Sequence, residues 1–97
     1  MPAYVVVSSE ISDPERFKTY MAAAPATVAE FGGEYLVRGG ALAALEGGWQ
    51  PKRLTVLRFA SVGQAQAWYD SPGYLAARNL RDGCTDRFDM VVVDGVA

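Results

Sequence analysis

The chain is predicted to fold as one α+β domain, an antiparallel sheet with helices laid on one of its faces. Three observations predict it. The sequence has 97 residues, of which 51% are hydrophobic, enough for a single packed domain near the size where burial barely outweighs chain entropy. Segments rich in β-branched residues alternate with well-capped helical stretches. These strand segments are apolar on both alternating sets of positions, so each face of the sheet needs a cover.

The first segment, "AYVVVSSEI", sets Tyr4 and Val6 against Val5 and Val7 and reads as a strand covered on both sides. "SDPERFKTYMAAAPATVAEFGG" follows as a helix. Either Asp13 caps it with Pro14 in first position, or Ser12 does so with Glu15 three residues on. Phe17, Tyr20, Met21, Ala24, Val28 and Phe31 form its apolar stripe, and Gly32-Gly33 ends it. Pro25 removes the N–H that would reach the Met21 carbonyl, which predicts a kink or break near Ala24. "EYLVRG" is a second strand, with Tyr35 and Val37 expected on one face and Leu36 and Arg38 on the other. "ALAALEG" is assigned to a short edge strand. "RLTVLRFA" is a further strand, Leu54, Val56 and Arg58 opposing Thr55, Leu57 and Phe59. Ser61 with Gln64 opens the helix of "SVGQAQAWYD", with Ala65, Trp68 and Tyr69 on its apolar side; Ser71 with Pro72 opens the next, and Gly83 closes it. "RFDMVVVDG" is the last strand. The order β-α-β-(β)-β-α-α-β is that of a ferredoxin-like protomer over residues 1–97. Its helices cover one face only, which leaves an apolar face larger than the few hundred square ångströms a soluble monomer usually exposes. An identical chain is the simplest cover, giving a dimeric α/β barrel with helices outside.

Composition removes several function classes. A charged fraction of 21% and a net charge of −2 argue against a nucleic-acid partner. Apolar runs such as Tyr4 to Val7 fall far short of the roughly 20 residues that cross a bilayer, and "MPAYVVVSSEIS" lacks a basic start, so a cytoplasmic protein without membrane contact is expected. The chain has no histidine, which excludes Cys-His and Ser-His couples and histidine-ligated zinc or haem. Its single cysteine, Cys84, reads as a small buried hydrophobe. Asp82, Asp86, Asp89 and Asp94 lack calcium-loop spacing, so neither metal nor cofactor is expected.

Four ordered motifs, "YVVV…I.DPE.F..Y", "A..GG.YLVRGG", "LEG.W.PKRL.VL.F" and "A..WYDSP.Y..AR..R", resemble the family known as domain of unknown function thirteen-thirty, within the dimeric α/β-barrel superfamily. The resemblance implies a ferredoxin-like protomer that dimerises sheet to sheet. It implies no reaction, since superfamily relatives include cofactor-free monooxygenases, haem-degrading enzymes, muconolactone isomerases and ligand-sensing regulators.

Two dense spots remain. In "VRGGALAALEGGW" the glycine pairs match neither a P-loop nor a dinucleotide fingerprint and are explained by a hairpin, with Gly39, Gly40, Gly47 and Gly48 at positive φ. Arg38, at a strand end, either pairs with Glu46 or grips a ligand carboxylate. Trp49, on the hairpin tip, either folds over a pocket or packs on the dimer partner, and Lys52 and Arg53 are assigned to a solvated corner. In "WYDSPGY", capping explains Ser71 and core packing Trp68, while Tyr69, Asp70 and Tyr74 exceed what a helix junction needs. The expected site is thus a cavity between sheet and helices, lined by Arg38, Glu46, Trp68, Tyr69, Asp70, Ser71 and Tyr74, for a small, partly apolar or anionic molecule. A binding protein, a cofactor-free monooxygenase- or isomerase-like enzyme, and a purely structural or partner-binding dimer are the three readings this pattern leaves open.

Overall fold

The computed structural model describes residues 1–96. Its elements run β1 (Ala3–Ile11), α1 (Pro14–Glu30), β2 (Glu34–Arg38), β3 (Arg53–Phe59), α2 (Val62–Tyr69), α3 (Pro72–Asn79) and β4 (Thr85–Asp94). The strands form one antiparallel sheet in the order β2-β3-β1-β4, with the helices on one face, which is the ferredoxin-like arrangement.

Each helix starts where a side chain can receive its free N–H groups. The Asp13 carboxylate accepts from the Arg16 amide, the Ser61 hydroxyl from that of Gln64, and the Ser71 hydroxyl from that of Tyr74. Proline fills the first position of α1 and α3. At the other end of α1, the Gly32 amide donates to the Ala29 carbonyl and the Gly33 amide to that of Val28, with Gly32 at φ 72°. That Schellman pattern turns the chain sharply into β2. Gly33 also permits close approach: a Cβ there would lie 2.6 Å from the Phe59 ring.

Strand register sorts side chains into rows across the sheet. Toward the helices run Tyr35–Leu57–Val5–Val92, then Arg38–Thr55–Val7–Met90, then Arg53–Ser9–Phe88. Val5, Val7, Leu57 and Phe59 join Val28, Ala65, Trp68, Tyr74 and Ala77 in the core. The opposite face carries an unbroken row of four valines, Val37–Val56–Val6–Val91, one from each strand. Among the described residues no element lies over it, and Val91 is 61% exposed.

Four expectations change. Residues 41–47 form no strand; they belong to a long exposed connection between β2 and β3. Its alanines and leucines find no layer of the protomer to pack against, and only one glycine of each pair, Gly39 and Gly47, takes positive φ. A register shift between Tyr35 and Val37 puts Tyr35 and Arg38 on the helix face and Val37 on the other, because one inserted residue inverts the alternation beyond it. Finally, α1 runs through Pro25 without a break. The Met21 carbonyl that Pro25 leaves without its amide accepts a hydrogen bond from Arg38 Nη2 at 2.5 Å instead.

Candidate functional site

Between the sheet and the helices lie two spaces that share three walls, Trp68, Phe88 and Met90. The larger is an open groove of about 770 Å³ between α2, α3 and the edge strand β4. Tyr69, Asp70, Arg78, Arg81, Asp82 and Asp89 give it polar character, and the even-numbered residues of β4 supply its floor. The smaller is a cavity of about 30 Å³ under α1, lined by Arg38 and Arg53, by the hydroxyl residues Ser9, Tyr20, Tyr35 and Thr55, and by apolar residues including Met21 and Leu57.

A train of aromatic rings builds the partition. Trp68 packs on Phe59 at 5.2 Å and on Tyr74 at 4.2 Å between centroids, and its indole N–H donates to Thr27 Oγ1. Thr27 in turn donates to the Ala24 carbonyl, so the indole is held by α1. The hydroxyls of Tyr74 and Tyr20 share a hydrogen bond of 2.8 Å. Burial raises the Tyr20 phenol well above its ordinary pKa, and the neighbouring Tyr74 adds to the shift. Tyr20 therefore stays a neutral donor and acceptor at physiological pH.

Electrostatics distinguish the two spaces. In the groove, Arg78 stacks on the Tyr69 ring at 4.7 Å, and Asp89 is paired with Arg87. The Arg81 guanidinium lies 3.7 Å from the Phe88 centroid and 5.4 Å from that of Tyr20. Its Nε is buried and, among the described residues, is the one buried side-chain nitrogen or oxygen without a hydrogen-bond partner. The inner cavity has two arginines and no carboxylate in its lining.

The residues expected from sequence divide accordingly. Trp68, Tyr69 and Asp70 line the groove, whereas Arg38 lines the inner cavity, also bordered by Trp68. Ser71 and Tyr74 are buried at the α2–α3 junction, the first as a cap and the second in the core, and neither lines either space. Glu46 stands on the exposed connection and forms no ion pair with Arg38, whose guanidinium is turned toward α1. Arg53, placed at a solvated corner from sequence, is half-buried in the inner cavity. The alternation Arg53, Thr55, Leu57, Phe59 carried that signal. Arg81, Tyr20 and Ser9 had no comparable mark, since their roles arise from packing between distant segments.

A family profile described as domain of unknown function (DUF1330) matches residues 2–96. The chain belongs to that family. Among solved structures, this DUF1330 chain is similar to a protein of unknown function from Rhodopseudomonas palustris, with TM-score 0.76 and 14% identity over 99% of this chain and 83% of that one. A dimeric ferredoxin-like protein of unknown function from Thermobifida fusca aligns with TM-score 0.59 and 13% identity, covering 96% and 90%. A candidate antibiotic biosynthesis monooxygenase from Nitrosomonas europaea aligns with TM-score 0.60 and 12% identity, covering 98% and 90%. At these identities the likeness concerns the fold. No curated protein matches the chain.

Proposed function

We propose that the protein is a homodimer that binds a small, partly apolar molecule with an anionic group in the groove between α2, α3 and β4. The two guanidinium groups of Arg78 and Arg81 carry this reading: both residues line the groove, neither forms an ion pair among the described residues, and an anion in the groove would supply the missing counter-charge. The groove volume of about 770 Å³ falls in the range of small-molecule sites, and Tyr69 and Phe88 offer apolar walls. The valine row and the likeness to a dimeric ferredoxin-like protein support the homodimer.

The test is a thermal-shift screen of carboxylate and phosphate metabolites, with native mass spectrometry of the protein as purified. The expected result is a stabilising anion whose effect is lost in Arg81→Met, which keeps an apolar stem over Phe88 but lacks the N–H. Equal stabilisation of both proteins would refute the Arg81 role. Turnover of the stabilising compound would instead favour the enzyme of cofactor-free monooxygenase or isomerase type.

A further inference from the structure

We propose that the inner cavity is a second binding site, for a short-chain monocarboxylate whose head lies on Arg38 and Arg53 and whose tail enters between the sheet and α1. The site shares walls with the groove but contains neither Arg78 nor Arg81, so it stands independently of the function proposed above.

The sheet brings the two arginines to neighbouring positions on one face. Arg53 and Thr55 project from β3 toward the helices, and the β2 bulge turns Arg38 to that same face, directly opposite Thr55. Ser9 on β1, paired with Arg53 and buried at 2% exposure, adds a hydroxyl. Four polar side chains thus converge at neighbouring positions on one face, and none of the residues lining the cavity is acidic. Two cations without a nearby carboxylate repel one another, and a bound anion would relieve that repulsion.

Each arginine is positioned by a backbone feature. Pro25 frees the Met21 carbonyl that holds Arg38 Nη2, which leaves the rest of the fork to other acceptors. Gly39, at φ 71°, lies against Arg53: a Cβ there would clash with Nη1. Any other residue at position 39 would push the guanidinium away from its place. Among the described residues Arg53 has no side-chain ion pair or hydrogen bond, although it is half-buried.

The remaining lining selects the ligand class. Val7, Phe17, Met21, Leu57, Phe88 and Met90 make the inner wall apolar, which suits a hydrocarbon tail and disfavours a phosphate buried on all sides. The cavity of about 30 Å³ limits that tail to very few carbons.

Propionate is the probe, titrated into ¹⁵N-labelled protein, with 1-propanol and inorganic phosphate as controls. Saturable shifts are expected at Ser9, Arg38, Gly39, Arg53 and Thr55, with none from 1-propanol and weaker ones from phosphate. Arg53→Gln should weaken propionate about tenfold, the scale of one charge-assisted hydrogen bond. Met21→Trp, which fills the cavity but keeps both arginines, should abolish tail-dependent binding, and the amide spectrum of each variant reports that it is folded. Equal affinity of the wild type and Arg53→Gln, stronger binding of phosphate, or shifts confined to Tyr69, Arg78 and Arg81 would each overturn the proposal. The last outcome would leave the groove reading in place.

Discussion

Tyr20 shows how a buried side chain ties the helix layer to the sheet. Its hydroxyl meets that of Tyr74, and its ring packs edge-on against Phe88 at 6.3 Å. Burial raises the phenol above its ordinary value of 10.0, and Tyr35 is shifted in the same direction by the same cause. Their stabilising contribution is complete below that pH. It is lost as pH rises above it, because the unfolded chain then releases phenolic protons that the folded chain retains. Urea midpoints should therefore fall between about pH 8 and about pH 11, and fall less in Tyr20→Phe. At neutral pH that variant should be less stable by about 1 to 2 kcal/mol, since the buried Tyr74 hydroxyl loses its partner. Nothing in the spacing of the sequence pairs these tyrosines, which are 54 residues apart. Arg53 was more legible, because the alternation of β3 sets it beside Thr55 on the helix face; its charge and the adjacent Lys52 suggested solvent instead.

At the scale of elements, the caps and the first glycine stop were readable because they depend on local chemistry, and Asp13, Ser61, Ser71 and the Gly32-Gly33 turn act as their residue types predict; α3, by contrast, ends at Asn79 and passes through a turn before Gly83. Two features depended on distant partners. The bulge in β2 exists only in pairing with β3, so no pattern within "EYLVR" could show that Tyr35 and Arg38 share a face. Pro25 signalled a broken helix, but Arg38 supplies the donor that the proline lacks. Pro25→Ala should restore the amide to the Met21 carbonyl and stabilise the protein by about 1 to 2 kcal/mol in urea unfolding, the intrinsic gain reduced by the freer unfolded chain. It should also release Arg38 and weaken propionate binding, so that stability and affinity change in opposite directions. Gly33→Ala should act the other way, costing about 1 to 3 kcal/mol through contact with Phe59 and Val28. Its effect is measured by the same unfolding experiment.

For the whole molecule, the decisive feature is a sheet whose two faces both expect burial. Helices cover one; the other presents Val37, Val56, Val6 and Val91 in a continuous row, flanked by Tyr4 and Val93 in the next. In a monomer, Val91→Glu would change an exposed position and alter stability by no more than about 0.5 kcal/mol. Across a sheet-to-sheet interface the same change would bury a carboxylate without a partner, which is far more costly than the lost valine contact. Light scattering should thus give twice the protomer mass for the wild type and the protomer mass for Val91→Glu. Ala76→Glu, an equal charge change at an exposed position of α3, should leave the dimer intact. If Val91→Glu retains the wild-type mass, the valine face is not the interface. Because the inner cavity lies on the helix side and Val91 is not among the residues lining it, the monomeric variant should still bind propionate, which separates assembly from ligand recognition in one protein.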